Sequence, residues 1–450
     1  RGMGSMNAGN DPLYVIDGIQ TTSMDGINVA DITNIQILKD ATATAIYGVN
    51  GSSGVVIITT KRGKVNKPSL SFDSYIGFSN IVSNVDVLNL QQYKDYIGTV
   101  KTDYLTTAND AAYTGIDTDW ADKVFQTGID QNYNLSYSGG NESLRYYTSV
   151  GYQDTKGIVD PSKFNRLSAK INLDGNIYKW LKFNAGINYI NTNSKSISDN
   201  NSIGQGGAIM STLVTPVFLP VYGTELNVLQ YEADGVTPKD GYKDGQFALN
   251  PYQSGWENPV SLLTRENETN VNRYLTNLSF DVSLTKNLVW KPMISSDVTR
   301  SENTQFIDAY RTSYGRANGV VANMGRGSNS VEKYNFMNFE NTLTYTLKKD
   351  IHDLNVMVGN SLQKNTYKGD YNSAQGFSVN TSEYNYEEAL TKNSLSYRES
   401  KVNTASFFGR VIYSLKNKYI ITGVFRASGA SQLSEGNKWG YFPGVSAAWI

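Results

Sequence analysis

The sequence predicts a transmembrane antiparallel β-barrel that follows a small α/β unit at the N-terminus. Segments of about ten residues alternate apolar with polar side chains, as the strands of membrane barrels do. Short and long connections join these segments in turn. Tyrosine is abundant, with 31 Tyr against 16 Phe, and its ring suits a boundary between hydrocarbon and water. Together these observations indicate strands with one face in lipid and the other in water.

The alternation is clearest in the segment 165–174. One face carries Leu167 and Ile171, whereas the other includes Lys170. The same period is found in the sets Leu144, Tyr146, Thr148, Val150 and Tyr152; Leu181, Phe183, Ala185, Ile187 and Tyr189; and Tyr274, Leu278, Phe280, Val282 and Leu284. A secreted β-sandwich adhesin would share this period and remains an alternative. Charged residues on the second face of successive strands do not fit its dry core.

The N-terminal unit is predicted from a different pattern, in which continuous apolar runs replace alternation. Its elements are, in order, a strand over 12–16 that ends in the tight turn Asp17-Gly18, a strand over 35–38, a helix over 41–47 capped by Asp40 and ended by Gly48, and a strand over 55–60. The last strand is a β-branched run, which is typical of a strand covered on both sides.

The remainder of the chain divides into roughly twelve predicted strands. They lie near 69–79, 131–138, 143–154, 165–174, 181–190, 272–285, 288–299, 334–347, 354–364, 402–415, 418–427 and 444–450. The first long connection is predicted to hold a helix around 87–97. Barrels place short turns on the periplasmic side and long loops outside.

Composition limits the other classes of function. The net charge is −1 and no basic stripe is present, which argues against a nucleic-acid partner. The mean hydropathy is −0.40, as expected when half of each strand faces water. Cysteine is absent and His352 is the single histidine, so the sequence predicts no zinc or copper site. No cofactor and no enzymatic activity are expected.

Several stretches resemble SusC/RagA-type TonB-dependent outer-membrane transporters. They are DPLYVIDG (11–18), DI (31–32), ILKDATATAIYG (37–48), GVVIITTK (54–61), SGGN (138–141), GIV (157–159), KWGYFP (438–443) and SAAW (446–449). The plug motif residues within them are Asp17, Gly18, Lys39, Asp40, Tyr47, Gly48, Gly51 and Gly54. Two stretches depart from the family pattern: 426–431 lacks the usual loop carboxylate, and 49–53 reads VNGSS.

The resemblance implies a plug over 1–64 and barrel strands with long extracellular loops over 65–450. It implies active import of oligosaccharides across the bacterial outer membrane, with peptides as the alternative cargo. A SusD-like surface lipoprotein, TonB and outer-membrane lipid would be the partners. Family barrels have about twenty-two strands. Because a half barrel would leave unpaired edges in lipid, we expect the start of the plug and about ten C-terminal strands to lie outside this sequence.

The long loop over 191–271 is rich in aromatic residues next to Asn and Asp. The loop aromatics predicted to face substrate are Tyr222, Tyr231, Tyr242, Tyr252 and Trp256, and Phe247 belongs to the same group. Aromatic rings cover the apolar faces of sugars, and amides bind their hydroxyls. The bland interpretation, that these rings pack the loop against itself, is favoured over contact with sugar.

Other motifs favour structural roles. Gly48-x-x-Gly51-x-x-Gly54 follows a helix and opens a strand, which is the reverse of a dinucleotide fingerprint, so a tight turn is predicted. Asp117, Asp119 and Asp122 lack the spacing of a calcium loop and are predicted to cap loops. The neighbouring Glu387 and Glu388 would point apart, which disfavours a glycan hydrolase.

Overall fold

The computed structural model describes most of the chain, and the described strands form three sheets. The described residues are 11–39, 44–82, 85–100, 105, 109, 113, 115–197, 207–223, 230–231, 238–239, 247–248, 257–307, 325–377, 381, 383–393 and 395–450. A four-stranded sheet forms the N-terminal unit, a thirteen-stranded sheet follows, and a two-stranded hairpin lies in a loop.

The N-terminal sheet contains the three predicted strands and one more. Its strands are β1 (Leu13–Ile16), β2 (Ile19–Thr21), β3 (Ile32–Leu38) and β4 (Val55–Thr60), in the order β2-β1-β4-β3. β1 and β4 are parallel, and the other pairs are antiparallel. Asp17 and Gly18 have φ of 49° and 90°, which is the geometry of a two-residue turn between twisted strands.

Both faces of β4 are covered, as its β-branched run predicts. Ile58 is fully buried and packs in a cluster with Ile190 and Leu275 of the large sheet. Val55, on the opposite face, is fully buried against Leu13 and Val15. The N-terminal unit therefore has one small core of its own and a second that it shares with the large sheet.

The helix predicted over 41–47 lies partly outside the described residues, since 40–43 are not among them. Thr44 and Ala45 are helical, and a 3-10 turn over Gly48–Gly51 follows. Gly48 has φ of 63°. The chain therefore reverses at this glycine, as predicted, and then enters β4.

The large sheet is an antiparallel meander, hereafter the wall. Its strands are β5 (Ser69–Ser79), β6 (Gly128–Gly140), β7 (Leu144–Lys156), β8 (Lys163–Tyr178), β9 (Leu181–Lys195), β12 (Glu266–Ser283), β13 (Leu288–Ile307), β14 (Gly325–Lys349), β15 (His352–Phe377), β17 (Ser396–Leu415), β18 (Tyr419–Ala430) and β19 (Trp439–Trp449). Each predicted strand overlaps one of them. Short strands not predicted are β10 (Gln230–Tyr231) and β11 (Pro238–Lys239), which form the hairpin, and β16 (Thr391–Lys392), which pairs with β15.

The two faces of the wall differ as the alternation predicts. On β7, Val150 is 51% exposed whereas Ser149 is 5% exposed. Apolar side chains on the outer face are exposed, among them Leu167, Ile171, Ile187, Tyr274, Leu278, Ile294, Phe339, Leu362, Phe407 and Phe425. Polar side chains on the inner face are buried, among them Lys170, Asn172, Asp174, Asn188, Arg273, Asn277, Asp297, Asn338, Gln363, Ser406 and Arg426.

Connections alternate in length along the wall. The residues 350–351 and 416–418 are short turns, whereas 80–127 and 196–265 are long. Within the described residues, the long connections hold four helices: α1 (Leu90–Val100), α2 (Trp120–Val124), α3 (Ala208–Val214) and α4 (Pro259–Leu263). We call the edge of the wall that carries the long connections its outer end. Among the described residues, no helix is both long and apolar enough to cross a membrane.

Candidate functional site: the interface between the N-terminal unit and the wall

A buried ion pair fastens the first turn of the N-terminal unit to the wall. Lys170 Nζ of β8 lies 3.3 Å from Asp17 Oδ2, and the two side chains are 4% and 5% exposed. Asp17 also accepts hydrogen bonds from the backbone N–H and the hydroxyl of Thr60. Next to it, Asn172 donates to the backbone oxygen of Lys61 at 2.9 Å. The predicted motif residue Asp17 thus joins β1, β4 and the wall.

Two further contacts extend this polar interface. Arg62 Nη1 lies 2.6 Å from Asp174 Oδ1. The Tyr147 hydroxyl donates to Asp31 at 2.7 Å, and both residues are buried. Because each buried charge has a partner of opposite charge or a hydrogen-bond donor, the wall can bury these groups without a large desolvation penalty.

The turn after β2 is held from above by an arginine of β12. Arg273 donates to both carboxylate oxygens of Asp297, at 3.1 and 2.8 Å, and the pair is 7% and 3% exposed. The same guanidinium donates to the backbone oxygens of Ser23 at 3.0 Å and Asp25 at 3.1 Å. Thr21 donates its hydroxyl to Asp297 at 2.7 Å. We call these five residues the apex clasp.

A second arginine contacts the N-terminal unit at the segment before β4. Arg426 of β18 donates to the backbone oxygen of Ile46 at 2.5 Å, and it is itself 5% exposed. Its other nitrogens donate to the hydroxyls of Ser406 and Ser428, both at 2.9 Å. The guanidinium also lies 5.3 Å from the ring centroid of Phe408, within the range of a cation–π interaction.

The glycines of the plug motif allow close approach to the wall. A Cβ on Gly48 would lie 3.0 Å from Arg426 Nε, and one on Gly18 would lie 3.3 Å from Met293 Sδ. Both have positive φ, which strains any residue with a side chain. Gly51 is buried in the 3-10 turn.

The remaining motif residues lie further from the wall or outside the described part. Gly54 lies in a turn before β4, where its N–H donates to the backbone oxygen of Gly51 at 3.0 Å and its φ is 101°. Tyr47 is half-buried beside it, and burial, with a smaller contribution from Glu340, raises the pKa of its phenol. Lys39 is exposed at the end of β3. Asp40 lies outside the described residues.

Two cavities open above the N-terminal unit, toward the outer end of the wall. The first, of about 500 Å³, has Ser23, Asp25 and Gly26 as its floor and Thr192 and Tyr334 among its sides. The second, of about 680 Å³, is lined by polar residues of four neighbouring strands. The apex clasp lies at the base of the first cavity, since Arg273 and Asp297 also line it.

The predicted loop aromatics are largely beyond what the structure describes. Tyr222 is 55% exposed and stacks on the buried ring of Phe247, with centroids 5.3 Å apart. For Tyr231, only its place in β10 is described. Tyr242, Tyr252 and Trp256 lie outside the described residues. The observed pair is compatible with both interpretations, a sugar-binding surface and packing within the loop.

Of the three aspartates predicted to cap loops, Asp117 and Asp119 cap helix starts, whereas Asp122 lies within α2 and pairs with Lys123 at 3.1 Å. Asp119 accepts from the backbone N–H of Asp122 at the start of α2, and Asp117 accepts from that of Leu90 at the start of α1. Within the described part of the chain, no three His, Cys, Asp or Glu residues are grouped so that they could hold a metal ion.

The lone histidine and the Glu pair also have ordinary partners. His352, predicted in the turn, is the exposed first residue of β15, and its Nδ1 lies 2.6 Å from the Tyr413 hydroxyl. Glu387 pairs with Lys392, and Glu388 accepts from the Asn385 amide at 2.9 Å.

Sequence reasoning found Asp17 and Gly48 but not the residues of the wall that hold them. Lys170, Asp174 and Arg273 were predicted to face water, whereas the structure buries all three against the N-terminal unit. The signal in the sequence was their charge on an inward face. Their partners lie far away along the chain, so no local pattern identifies them.

Comparison with known proteins agrees with this arrangement. Residues 1–55 match the family model of the TonB-dependent receptor plug domain. The chain is 30% identical to the TonB-dependent receptor SusC of Bacteroides thetaiotaomicron, over all of this chain and 44% of that protein. It is also 30% identical to the TonB-dependent receptor P3 of Formosa agariphila, over all of this chain and 42% of that protein. The chain thus spans less than half the length of these curated relatives.

The fold has matches among solved structures as well. The RagAB peptide transporter superposes with a TM-score of 0.78 at 21% identity, covering all of this chain and 52% of that one. The apolar outer face of the wall and the relationship to TonB-dependent receptors place the chain in the bacterial outer membrane. The sequence is therefore similar to that of SusC-type TonB-dependent receptors, its first 55 residues match their plug domain, and its fold is that of the RagAB transporter.

Proposed function

We propose that this protein imports oligosaccharides across the outer membrane, with residues 1–64 acting as the plug and 65–450 supplying barrel wall. The observation that carries this proposal is the interface between the two, in which polar contacts surround one small apolar cluster. Ion pairs such as Lys170–Asp17 and Arg62–Asp174 can exchange their partners for water when the plug moves. A continuous apolar core would instead lose its burial energy over the whole contact area.

The proposed cycle needs partners on both sides of the membrane. TonB would pull on the plug from the periplasm, using the proton gradient of the inner membrane. A SusD-like lipoprotein would close over the long connections and hold substrate above the two cavities. Outer-membrane lipid would surround the exposed apolar face. The family resemblance supports these partners, and the position of the cavities above the plug is consistent with them.

Oligosaccharide is the proposed cargo, and peptide is the alternative. The family resemblance and the aromatic residues of the long loop support sugar, and the RagAB peptide transporter, which shares the fold at 21% identity, keeps peptide as the alternative. The loop aromatics Tyr222, Tyr231, Tyr242, Tyr252 and Trp256 are proposed to contribute contacts to sugar faces.

Uptake in the native organism tests this proposal. We expect deletion of the gene to abolish uptake of labelled oligosaccharide and the full-length gene to restore it. A proton uncoupler should block the restored uptake, because the plug moves only under TonB. Normal uptake of oligosaccharides and peptides by the deletant would contradict the proposal. Release of the protein by carbonate without detergent would favour the secreted adhesin.

A further inference from the structure

The second cavity has the character of a built binding site. It lies between the outer ends of β12, β13, β14 and β15, and its volume of about 680 Å³ is within the usual range of small-molecule sites. Asn267 and Arg273 lie on the same face of β12, and Asn267 is six residues nearer the outer end of the strand. At about 3.3 Å per residue, this places the cavity roughly 20 Å above the apex clasp.

Register aligns a row of neutral polar side chains across the floor of this cavity. Asn267 pairs with Gln305, Gln305 with Ser328, and Ser328 with Ser373. All four line the cavity or its margin on the inward face. The row thus offers two amides and two hydroxyls at strand spacing, about 4.8 Å from one to the next.

A second row holds the first in place. Asn303 donates to the Asn267 side-chain oxygen at 3.0 Å and to the Thr269 hydroxyl at 2.9 Å. Gln305 donates in turn to the Asn303 side-chain oxygen at 3.2 Å. Each amide has two N–H donors and a carbonyl with two lone pairs, so one or two internal bonds leave capacity for a ligand.

Charge and shape narrow the class of ligand. At the rim, Arg265 is paired with Glu257, and both side chains are largely buried, so this charge is balanced within the protein. Arg326 and Glu266 also line the cavity, one cation and one carboxylate of opposite sign. Asn303 pairs with Ser330, and Ser330 pairs with Tyr371, so Tyr371 continues the second row. Its ring is 44% exposed and lines the cavity beside the amides. A neutral row next to an aromatic face matches a pyranose, which has hydroxyls at its edge and C–H groups on its face.

The same site is poorly suited to strand-like binding of a peptide. The backbone groups of β13 and β14 are hydrogen-bonded to strands on both sides along this region. A peptide therefore finds no free edge to join, which is the usual source of affinity for an extended chain.

We propose that the row Asn267, Gln305, Ser328 and Ser373, with Tyr371 beside it, binds one uncharged sugar unit of the incoming chain. This subsite rests on the proposed function and adds to it a location and a ligand class. Because the subsite lies above the plug, it binds substrate before the plug is displaced.

Binding by the full-length protein in detergent, with its lipoprotein partner, tests the subsite. The probes are neutral hexasaccharides of glucose, mannose, xylose and fructose, a hexagalacturonate, and a hexapeptide of mixed sequence. We expect Tyr371→Ala to weaken binding of the preferred neutral probe tenfold or more, and Gln305→Ala threefold or more. Tyr371→Phe keeps the ring and should bind nearly as the wild type does.

Thr304→Ala is the matched control. Thr304 is the neighbour of Gln305 on the opposite face, where its hydroxyl accepts from Asn329 at 2.9 Å, and the substitution should leave binding unchanged. The proposed subsite is wrong if the wild type binds a neutral probe and Gln305→Ala and Tyr371→Ala bind it equally well. Preference for hexagalacturonate would refute the neutral class while leaving oligosaccharide import intact. Binding of the hexapeptide alone would overturn the oligosaccharide function itself.

Discussion

Removal of the guanidinium from the apex clasp is predicted to loosen the outer part of the plug. In Arg273→Met, Asp297 stays buried and keeps only hydroxyl donors, from Thr21 at 2.7 Å and Thr299 at 3.2 Å. Breaking a buried ion pair by removing one partner costs about 3–5 kcal/mol. The backbone oxygens of Ser23 and Asp25 lose their donor as well. Since 1.4 kcal/mol corresponds to a factor of ten, the open state of this turn should be populated at least about 100-fold more.

Hydrogen exchange with mass spectrometry measures this change in the detergent-solubilised, full-length protein. Peptides that cover residues 19–28 should exchange at least about 100-fold faster in the variant, whereas wall peptides should keep wild-type rates. Arg273→Lys keeps one charge without the planar fork and should give an intermediate rate.

Arg300→Met is the control for loss of a charge from a neighbouring strand. Arg300 pairs with Glu302 on the surface, where the side chains are 54% and 43% exposed, and such pairs contribute little. Its exchange rates should match the wild type. If the apex peptides of Arg273→Met exchange within threefold of the wild type, the clasp does not hold the plug.

Three further predictions concern the base of the plug, the lipid face and an outer loop. Gly48→Ala forces a side chain into left-handed backbone 3.0 Å from Arg426 Nε, at a cost of roughly 1–2 kcal/mol, and should speed exchange of peptides over 44–54. Ile171→Arg puts a charge on an outer-face position that is 49% exposed, and this should destabilise the barrel by about 2–4 kcal/mol in lipid. The measurement is the amount of heat-modifiable protein in outer membranes, which should fall. Burial raises the pKa of Tyr384 to about 12, above the value of about 10 for an unfolded phenol. The loop 383–393 should therefore be fully stable below pH 10 and become sensitive to protease as the pH rises from 10 to 12, and Tyr384→Phe should abolish this dependence.

The inner and outer faces of the wall could be predicted because they depend on a period of two residues. Leu167 and Lys170 lie on opposite faces of their strand, and this does not depend on which strand pairs with it. The structure places Leu167 on the outer face and Lys170 on the inner face. Strand ends were predicted less well. β15 was predicted over 354–364 and extends from His352 to Phe377. Its outer part stands beyond the hydrocarbon, where both faces are polar, so the alternation that marks a strand disappears.

The polar row of the second cavity was missed for the same reason. Asn267, Gln305, Ser328 and Ser373 lie in the outer parts of their strands, and all four lie beyond the ends of the predicted strands. Each is an ordinary polar residue in its own segment. They become a site only when the strand register brings them into one line.

The sequence alone determined the β-barrel architecture, the order and faces of its strands, and the turns that need glycine, because each depends on neighbours within a few residues. The tertiary structure decided which inward charges meet the plug. Lys170 pairs with Asp17, and Arg426 reaches Ile46, across 153 and 380 positions of the chain. Such partners are selected by the curvature of the wall and the position of the plug within it. A short stretch of sequence carries no record of either.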